Sequence, residues 1–356
     1  MVIRGRAPLR VSFGGGGTDV APFCEEQGGA IIGSTINKYA YCSIVPREDD
    51  QIIVHSLDFD MTVKYNTKEN YVYDGRLDLV TAALKAMEIS QGCEVYLQCD
   101  APPGSGLGTS STVMVAMLTA MARWKGIMMD AYAMADLAYQ VERLDLKIDG
   151  GYQDQYAAAF GGFNFIEFHG RNNVVVNPLR IKKDIIHELQ YNLLLCYTGN
   201  IHVSANIIRD QVQNYEKKDA FEAMCEVKAL AYALKDELLK GNLHSFGKLL
   251  DYGWQSKKRM SDKITTPQID ELYDEALKAG ALGGKLLGAG GGGYLLMYCP
   301  YNVRHKVAAR MEQAGGQLAD WNFELRGAQS WVADEERWKY DQVKVHMPNK
   351  IYTFDL

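Results

Sequence analysis

Three glycine-rich segments carry the first chemical signal in this chain. They are Phe13-Gly14-Gly15-Gly16-Gly17-Thr18-Asp19, Pro102-Pro103-Gly104-Ser105-Gly106-Leu107-Gly108-Thr109-Ser110-Ser111 and Gly288-Ala289-Gly290-Gly291-Gly292-Gly293. Glycine lets a backbone approach a ligand closely, and bare N–H groups are a common way to hold phosphate. The second segment lies between a strand-like run, Glu94 to Cys99, and an apolar helix from Ser110. That order aims a helix N terminus and free amides at one point. It is not the lysine-containing phosphate loop G-x-x-x-x-G-K-[ST], because no lysine occurs between Gly104 and Ser111. The charge of a bound phosphate chain must then be met by amides, the helix dipole, a metal ion and cations from elsewhere. Ser110 and Ser111 suit two tasks, ligation of Mg²⁺ or capping of the helix. The third segment satisfies G-x-G-x-x-G, yet Tyr294 to Tyr298 after it reads as a strand. A dinucleotide fingerprint opens a helix, so that oxidoreductase reading fails.

These segments need elements to position them. Ala30 to Ile36 and Tyr39 to Val45 read as strands joined by an Asn37-Lys38 turn, and Ile52 to His55 and Met61 to Tyr65 continue the pattern. Val20 to Gln27 reads as a short helix closed by Gly28-Gly29, and Leu77 to Gln91 as another ended by Gly92. The helix from Ser110 is apolar nearly all round and is expected in the core, with Met114, Met117 and Met121 as packing residues. A further helix starts at Asp130 as N-cap and runs to Leu144, and Phe163 to Phe168 alternates as a strand. Asn192 to Tyr197 is a buried strand, and His202 to Lys278 is mainly helical, with Thr266 as N-cap and Pro267 opening the last helix. From Lys285 onward, strands flank a helix over Asn302 to Ala314. The domain boundary is expected near Asn177-Pro178, dividing residues 1–178 from 179–356.

The chain has 356 residues and a formal charge of −6, which argues against a nucleic-acid surface. Its seven cysteines are scattered without a C-x-x-C pair, pointing to free thiols rather than a zinc site or disulfide framework. The N-terminal residues lack a signal-peptide apolar core. The longest apolar run, Val113 to Ala122, is interrupted by Thr119 and is too short to span a bilayer. The expectation is a soluble cytoplasmic protein with no membrane partner.

Taken together, the three motifs resemble those of the GHMP kinase superfamily, which includes galactokinase, homoserine kinase, mevalonate kinase and phosphomevalonate kinase. The matching stretches are Ala7 to Asp19, Pro103 to Ser111 and Lys285 to Gly292, in the family's order. Within the family, Phe13 to Asp19, Gly28-Gly29 and Ser34 to Tyr41 look most like D-glycero-D-manno-heptose 7-phosphate kinases. Galactokinases carry Gly-Glu-His-Thr-Asp at the first motif; Gly15-Gly16 stand here in place of the Glu-His pair. The resemblance implies an α+β fold of two α/β layered domains with the site between them. The N-terminal domain would be ribosomal-protein-S5-like and carry the phosphate loop; the C-terminal one would be ferredoxin-like.

The resemblance also implies roles for single residues. Asp154 falls at the catalytic aspartate and would accept or orient the proton of the attacking hydroxyl, unless it is only a helix cap. Arg10 would sit beside it and stabilise the transferring phosphoryl group. ATP would lie on Pro103, Gly104, Ser105, Gly106, Leu107, Gly108, Thr109, Ser110 and Ser111, closed over by Gly288, Ala289 and Gly290. Mg²⁺ would be held by Ser110 and Glu142. Asp19, with Thr18, Gly16 and Gly17, would bind the sugar. The implied reaction is ATP-dependent phosphorylation of the anomeric hydroxyl of heptose 7-phosphate, feeding nucleotide-activated heptose for surface glycans. A sugar phosphate partner requires cations, for which Lys257-Lys258-Arg259, Arg180 and Lys182-Lys183 are candidates, with at most one or two of the first group converging. An unphosphorylated fucose- or galactose-like sugar, or a non-catalytic ligand-binding relative, stays open. The tail after Trp331, with Asp334 to Arg337, suits packing on the body or self-association as a homodimer.

Overall fold

The computed structural model describes residues 1–69, 71–170, 173–199, 204–333, 342–347 and 350–355. Strand β1 (Val2–Gly14) leads through helix α1 (Phe23–Glu26) into β2 (Gly29–Pro46), followed by β3 (Gln51–Ser56), β4 (Met61–Asn66), α2 (Asp78–Ala86) and β5 (Cys93–Cys99). Next come α3 (Thr109–Lys125), α4 (Ala131–Tyr139), a π-helical turn over Gln140–Asp145, α5 (Gln153–Phe160), β6 (Phe163–Phe168) and β7 (Val174–Pro178). The second half contains α6 (Lys183–Asn192), β8 (Leu193–Tyr197), α7 (Ser204–Gln213), α8 (Lys218–Lys240), α9 (Leu243–Lys258) and α10 (Pro267–Lys278). It continues with β9 (Gly283–Leu286), β10 (Tyr294–Tyr298), α11 (Arg304–Gln313), β11 (Gln317–Leu318), β12 (Phe323–Glu324), β13 (Gln329–Ala333) and the hairpin β14 (Gln342–Met347) with β15 (Lys350–Asp355).

The first sheet runs β13-β1-β2-β5-β3-β4, with β6 and β12 on the remaining length of β2 and β7 beyond β6. The second runs β11-β8-β10-β9, all antiparallel. Helix α3 packs along β1 and β2, and its side chains from Met114 to Ala122 are buried, as an all-round apolar helix requires. Leu9, Val11 and Phe13 of β1 share one apolar cluster with Ala231 and Leu234 of α8, Phe246 and Leu250 of α9, and Leu195 and Leu296 of the second sheet. That shared core fixes the two sheets relative to the loops between them.

Several expected boundaries shift. Asn37-Lys38 is not a turn: β2 runs straight through it, because strand partners change there rather than the direction. Before that point β2 pairs with β6, after it with β5, and Asn37 exchanges hydrogen bonds with Asn322. The helix expected from Val20 starts only at Phe23, after Pro22. The helix expected over Leu77 to Gln91 spans only Asp78–Ala86. Asp130 does cap its helix, accepting from Ala133 N at 2.8 Å, but that helix turns π-helical at Gln140. Thr266 caps α10 as expected, with Pro267 at its first position. Asn177-Pro178 ends β7, yet the chain returns to the first sheet later through β12 and β13. The Asp334 to Arg337 segment and His202 lie outside the described residues. No helix among the described residues is long and apolar enough to cross a membrane. Of the cysteines, all free, Cys225 is exposed, Cys99 half-buried and the rest buried.

Candidate active site

The second glycine segment ends at Gly108, whose left-handed backbone (φ 75°) turns the chain into α3. No side chain caps this helix, so Ser110 and Ser111 do not serve as caps. Their hydroxyls turn sideways instead. Ser110 Oγ donates to Glu142 Oε1 at 2.8 Å, and Ser111 Oγ accepts from Gln155 Nε2 at 3.1 Å and Arg143 Nη2 at 3.3 Å. The amides of the first turn of α3 are thus left facing a cleft lined by Gly104, Gly106, Gly108, Thr109, Ser110 and Ser111. Pro103, Ser105 and Leu107 do not line it. Ser105 and Leu107 are buried behind it, where Ser105 O accepts from Tyr294 N at 3.0 Å and Leu107 O from Arg10 N at 3.2 Å. The third segment locks against the second: Gly288 lies so close to Gly106 that a Cβ there would stand 2.6 Å from Gly106 Cα. Gly288 and Ala289 line the cleft, whereas Gly290 packs on Ile264 outside it.

Arg10 reaches the same point from β1, where the β1–β2 register shifts between Pro8 and Arg10. Its Nε donates to Asp154 Oδ1 at 2.7 Å and its Nη1 to Gly106 O at 2.5 Å. Asp154 sits in the first turn of α5, whose N-cap is Tyr152, so Asp154 is not the cap. The pair is asymmetric: the Arg10 side chain is 5% exposed and that of Asp154 21%. Oδ1 is taken by Arg10, while Oδ2 lies against Gly108, 3.3 Å from where a Cβ there would stand. A carboxylate oxygen is therefore presented at the N terminus of α3.

Asp19 is buried on the cleft wall and accepts from Gly17 N at 3.2 Å and Gln153 N at 3.1 Å. Burial pushes its carboxyl up, and the Gln153 amide opposes that shift. Thr18 does not face the cleft. Its hydroxyl donates to Gly15 O at 2.8 Å and is also paired with the Ala30 backbone, so the bonds it makes close the turn. Gly17 lines the cleft; Gly16 does not, although Lys257 Nζ would lie 3.3 Å from a Cβ built on it.

Residues 70–162 match the GHMP kinases N terminal domain, and residues 234–317 the GHMP kinases C terminal domain. Over 334 residues the chain is 34% identical to the D-glycero-alpha-D-manno-heptose 7-phosphate kinase of Campylobacter jejuni, spanning 92% of this chain and 98% of that protein. This chain belongs to the GHMP kinases. It is also 33% identical to a crystal structure described as a D-glycero-D-manno-heptose 1-phosphate kinase from Bacteroides thetaiotaomicron, with a TM-score of 0.79, covering 93% of this chain and 99% of that one. The L-fucokinase/L-fucose-1-P guanylyltransferase of Bacteroides fragilis is 26% identical over 83% of this chain, which spans 34% of that protein. As a GHMP kinase the chain is an ATP-dependent phosphotransferase of the expected α+β fold.

Glu142 of this kinase lies on the π-helical turn and is fully buried. Its two oxygens are held by Ser110 Oγ and by Gln155 Nε2, the latter at 2.6 Å, with Arg143 at 3.9 Å. Among the described residues no cluster of three or more histidine, cysteine or acidic side chains could hold a metal. Mg²⁺ needs no such cage; it prefers one or two carboxylates plus phosphate oxygens and water. Ser110 and Glu142 are both oxygen donors that suit this ion: Ser110 lines the cleft, and Glu142, which does not line it, is buried directly behind Ser110.

Of the Lys257-Lys258-Arg259 run, Lys257 is the cation that reaches the cleft. Its neighbours in the Gln255 to Arg259 run turn away: Lys258 pairs with Asp270, and Arg259 with Asp219 and Glu226. Arg180, Lys182 and Lys183 are exposed and do not line the cleft. The motifs gave no role to Gln153, Gln155, Arg143 or Lys285. The first three orient Asp19, Glu142 and Ser111. The buried Lys285 donates to Ser12 O at 2.8 Å, and burial holds its ammonium well below the usual lysine range. Their only sequence signal is position within or beside a motif.

The committed bonds of Thr18 make a separable prediction. Thr18→Val removes the hydroxyl that Ala30 N donates to and that donates to Gly15 O, which keeps its bond from the residue 18 amide, so stability falls by about 1–3 kcal/mol. A thermal melt will show the loss, while KM for the sugar changes by less than about twofold, since no lost bond reaches the cleft.

Proposed function

We propose that this kinase transfers the γ-phosphoryl group of ATP to the anomeric (C1) hydroxyl of D-glycero-D-manno-heptose 7-phosphate, giving the 1,7-bisphosphate and ADP. The observation that carries the chemistry is the Arg10–Asp154 pair, hydrogen-bonded at 2.7 Å and set against Gly106 and Gly108 at the α3 N terminus. The α3 amides and dipole bind the phosphate chain. Asp154 Oδ2 receives the hydroxyl proton as the sugar oxygen bonds to phosphorus and the bond to the ADP oxygen breaks. Arg10 holds Asp154 in place and stabilises charge on the moving group. Ser110 and Glu142 would hold Mg²⁺, which when bound neutralises charge on the phosphate oxygens. Asp19, as an acceptor-only side chain, suits sugar hydroxyls.

Support for the sugar comes from the Campylobacter jejuni relative, matched over 98% of its length. The Bacteroides thetaiotaomicron relative carries a name with the existing phosphate at the other end of the heptose. Both names share a manno-heptose monophosphate as acceptor. A 1,7-bisphosphate suits a route to nucleotide-activated heptose for surface glycans. The deciding experiment is a coupled kinase assay with heptose 7-phosphate, heptose 1-phosphate, heptose, fucose, galactose and mannose. Heptose 7-phosphate is expected to give the highest kcat/KM. Turnover of only unphosphorylated sugars, fucose above all, would overturn the assignment in favour of a fucokinase-like enzyme.

A further inference from the structure

Lys257, at the end of α9, is 4% exposed and lines the cleft. Its Nζ donates to Gly288 O at 2.7 Å. An ammonium has three donors, and the other N–H groups have no protein acceptor among the described residues. Nor does Lys257 form a salt bridge there, unlike Lys258 and Arg259. Four charged groups face it: Asp19 from the first glycine segment, Asp154 from α5, Arg10 from β1 and Lys285 from β9. Asp154 is already engaged by Arg10, and Asp19 by backbone amides. A buried charge without a partner is costly, and burial pushes the Lys257 ammonium down to about 8. Arg10 is tethered to a carbonyl of the second glycine segment and Lys257 to one of the third. The two cations thus stand on the two segments that interlock at Gly106 and Gly288. What this arrangement lacks is an anion.

We propose that Lys257 is a catalytic residue that binds the phosphoryl group in transit, donating to its oxygens from the third glycine segment as Arg10 does from the second. The assignment rests on the kinase reading above. Lys257 keeps its protons throughout: the hydroxyl proton goes to Asp154, one P–O bond forms to the sugar and one breaks to ADP. The ammonium supplies charge and N–H donors where negative charge is concentrated.

The test is Lys257→Met, assayed on whichever sugar of the panel turns over best. Loss of a preorganised donor lowers kcat by about 100-fold or more. Binding of MgADP by calorimetry stays within about threefold, because the α3 amides remain. The pH profile separates this from a structural role. The free enzyme needs protonated Lys257, so wild-type kcat/KM falls as pH rises through about 8. Lys257→Met lacks that alkaline limb. Lys257→Arg restores charge without titration in this range, so it recovers at least about tenfold over Met and also loses the limb. A Met variant with kcat within about threefold of wild type, or an unchanged alkaline limb in either variant, overturns the proposal. Failure of the heptose reading looks different: the order of sugars in the panel changes, and the Lys257 comparison is still read on the sugar that reacts.

Discussion

Asp154→Asn lowers kcat by about three orders of magnitude, the scale of a lost general base, while the protein still folds and binds nucleotide. The substitution keeps the side chain's shape, and its amide oxygen can still accept from Arg10 Nε, which reaches Oδ1 at 2.7 Å. What is lost is the second carboxylate oxygen, facing Gly108, as a proton acceptor. A thousandfold loss corresponds to about 4 kcal/mol of transition-state stabilisation. It falls on kcat and kcat/KM together, because the interaction is made only as the hydroxyl attacks. KM for ATP changes little. Steady-state kinetics alongside a thermal melt will check this, and a variant within tenfold of wild-type kcat would remove Asp154 from the chemistry.

Gly106→Ala is expected to damage folding and catalysis together. Gly106 has φ +80°, a region that costs a residue with a side chain about 1–3 kcal/mol. Its added Cβ would also stand 2.9 Å from the Leu287 carbonyl carbon, and closer still to the oxygen. Both neighbours are backbone, so relief requires the second and third glycine segments to part. That separates the α3 N terminus from Gly288 and moves Gly106 O away from Arg10 Nη1, its donor at 2.5 Å. We expect a stability loss above about 3 kcal/mol and kcat/KM down by at least about a hundredfold. Gly75→Ala is the control. Gly75 has φ +84° but nothing within 4 Å of an added Cβ, so it incurs the backbone cost alone. Equal melting temperatures for the two variants would contradict the interlock.

The glycine segments were readable from the sequence because their signal is local: each glycine run stands beside a strand or helix that the period of apolar residues reveals. The same holds for β6, the Thr266 cap and the strand after Gly293, which excluded a dinucleotide site. Features made by distant segments were not readable. Nothing near Asn37-Lys38 reveals that Asn322 continues the strand's hydrogen bonding there. Nothing near Phe323 or Gln329 reveals that β12 and β13 return to the first sheet. Which cation of the Lys257-Lys258-Arg259 run would converge was not readable, since three adjacent cations on a helix point in different directions. Only the packing of α9 against β9 selects one of them for burial. Thr18 was misread for the same reason: its motif neighbours Gly17 and Asp19 line the cleft, but its own hydroxyl is consumed by Gly15 and Ala30. The π-helical turn that carries Glu142 interrupts an otherwise ordinary helical pattern, without a proline or glycine to mark it.

The most direct measurement is ³¹P and ¹³C NMR of the product formed from heptose 7-phosphate and MgATP, with the Asp154→Asn variant run in parallel. The account predicts stoichiometric ADP, a second phosphate coupled to the anomeric carbon, and no detectable product from the variant on the same timescale. Phosphate on any other carbon, no turnover by wild type, or equal product from Asp154→Asn would contradict it.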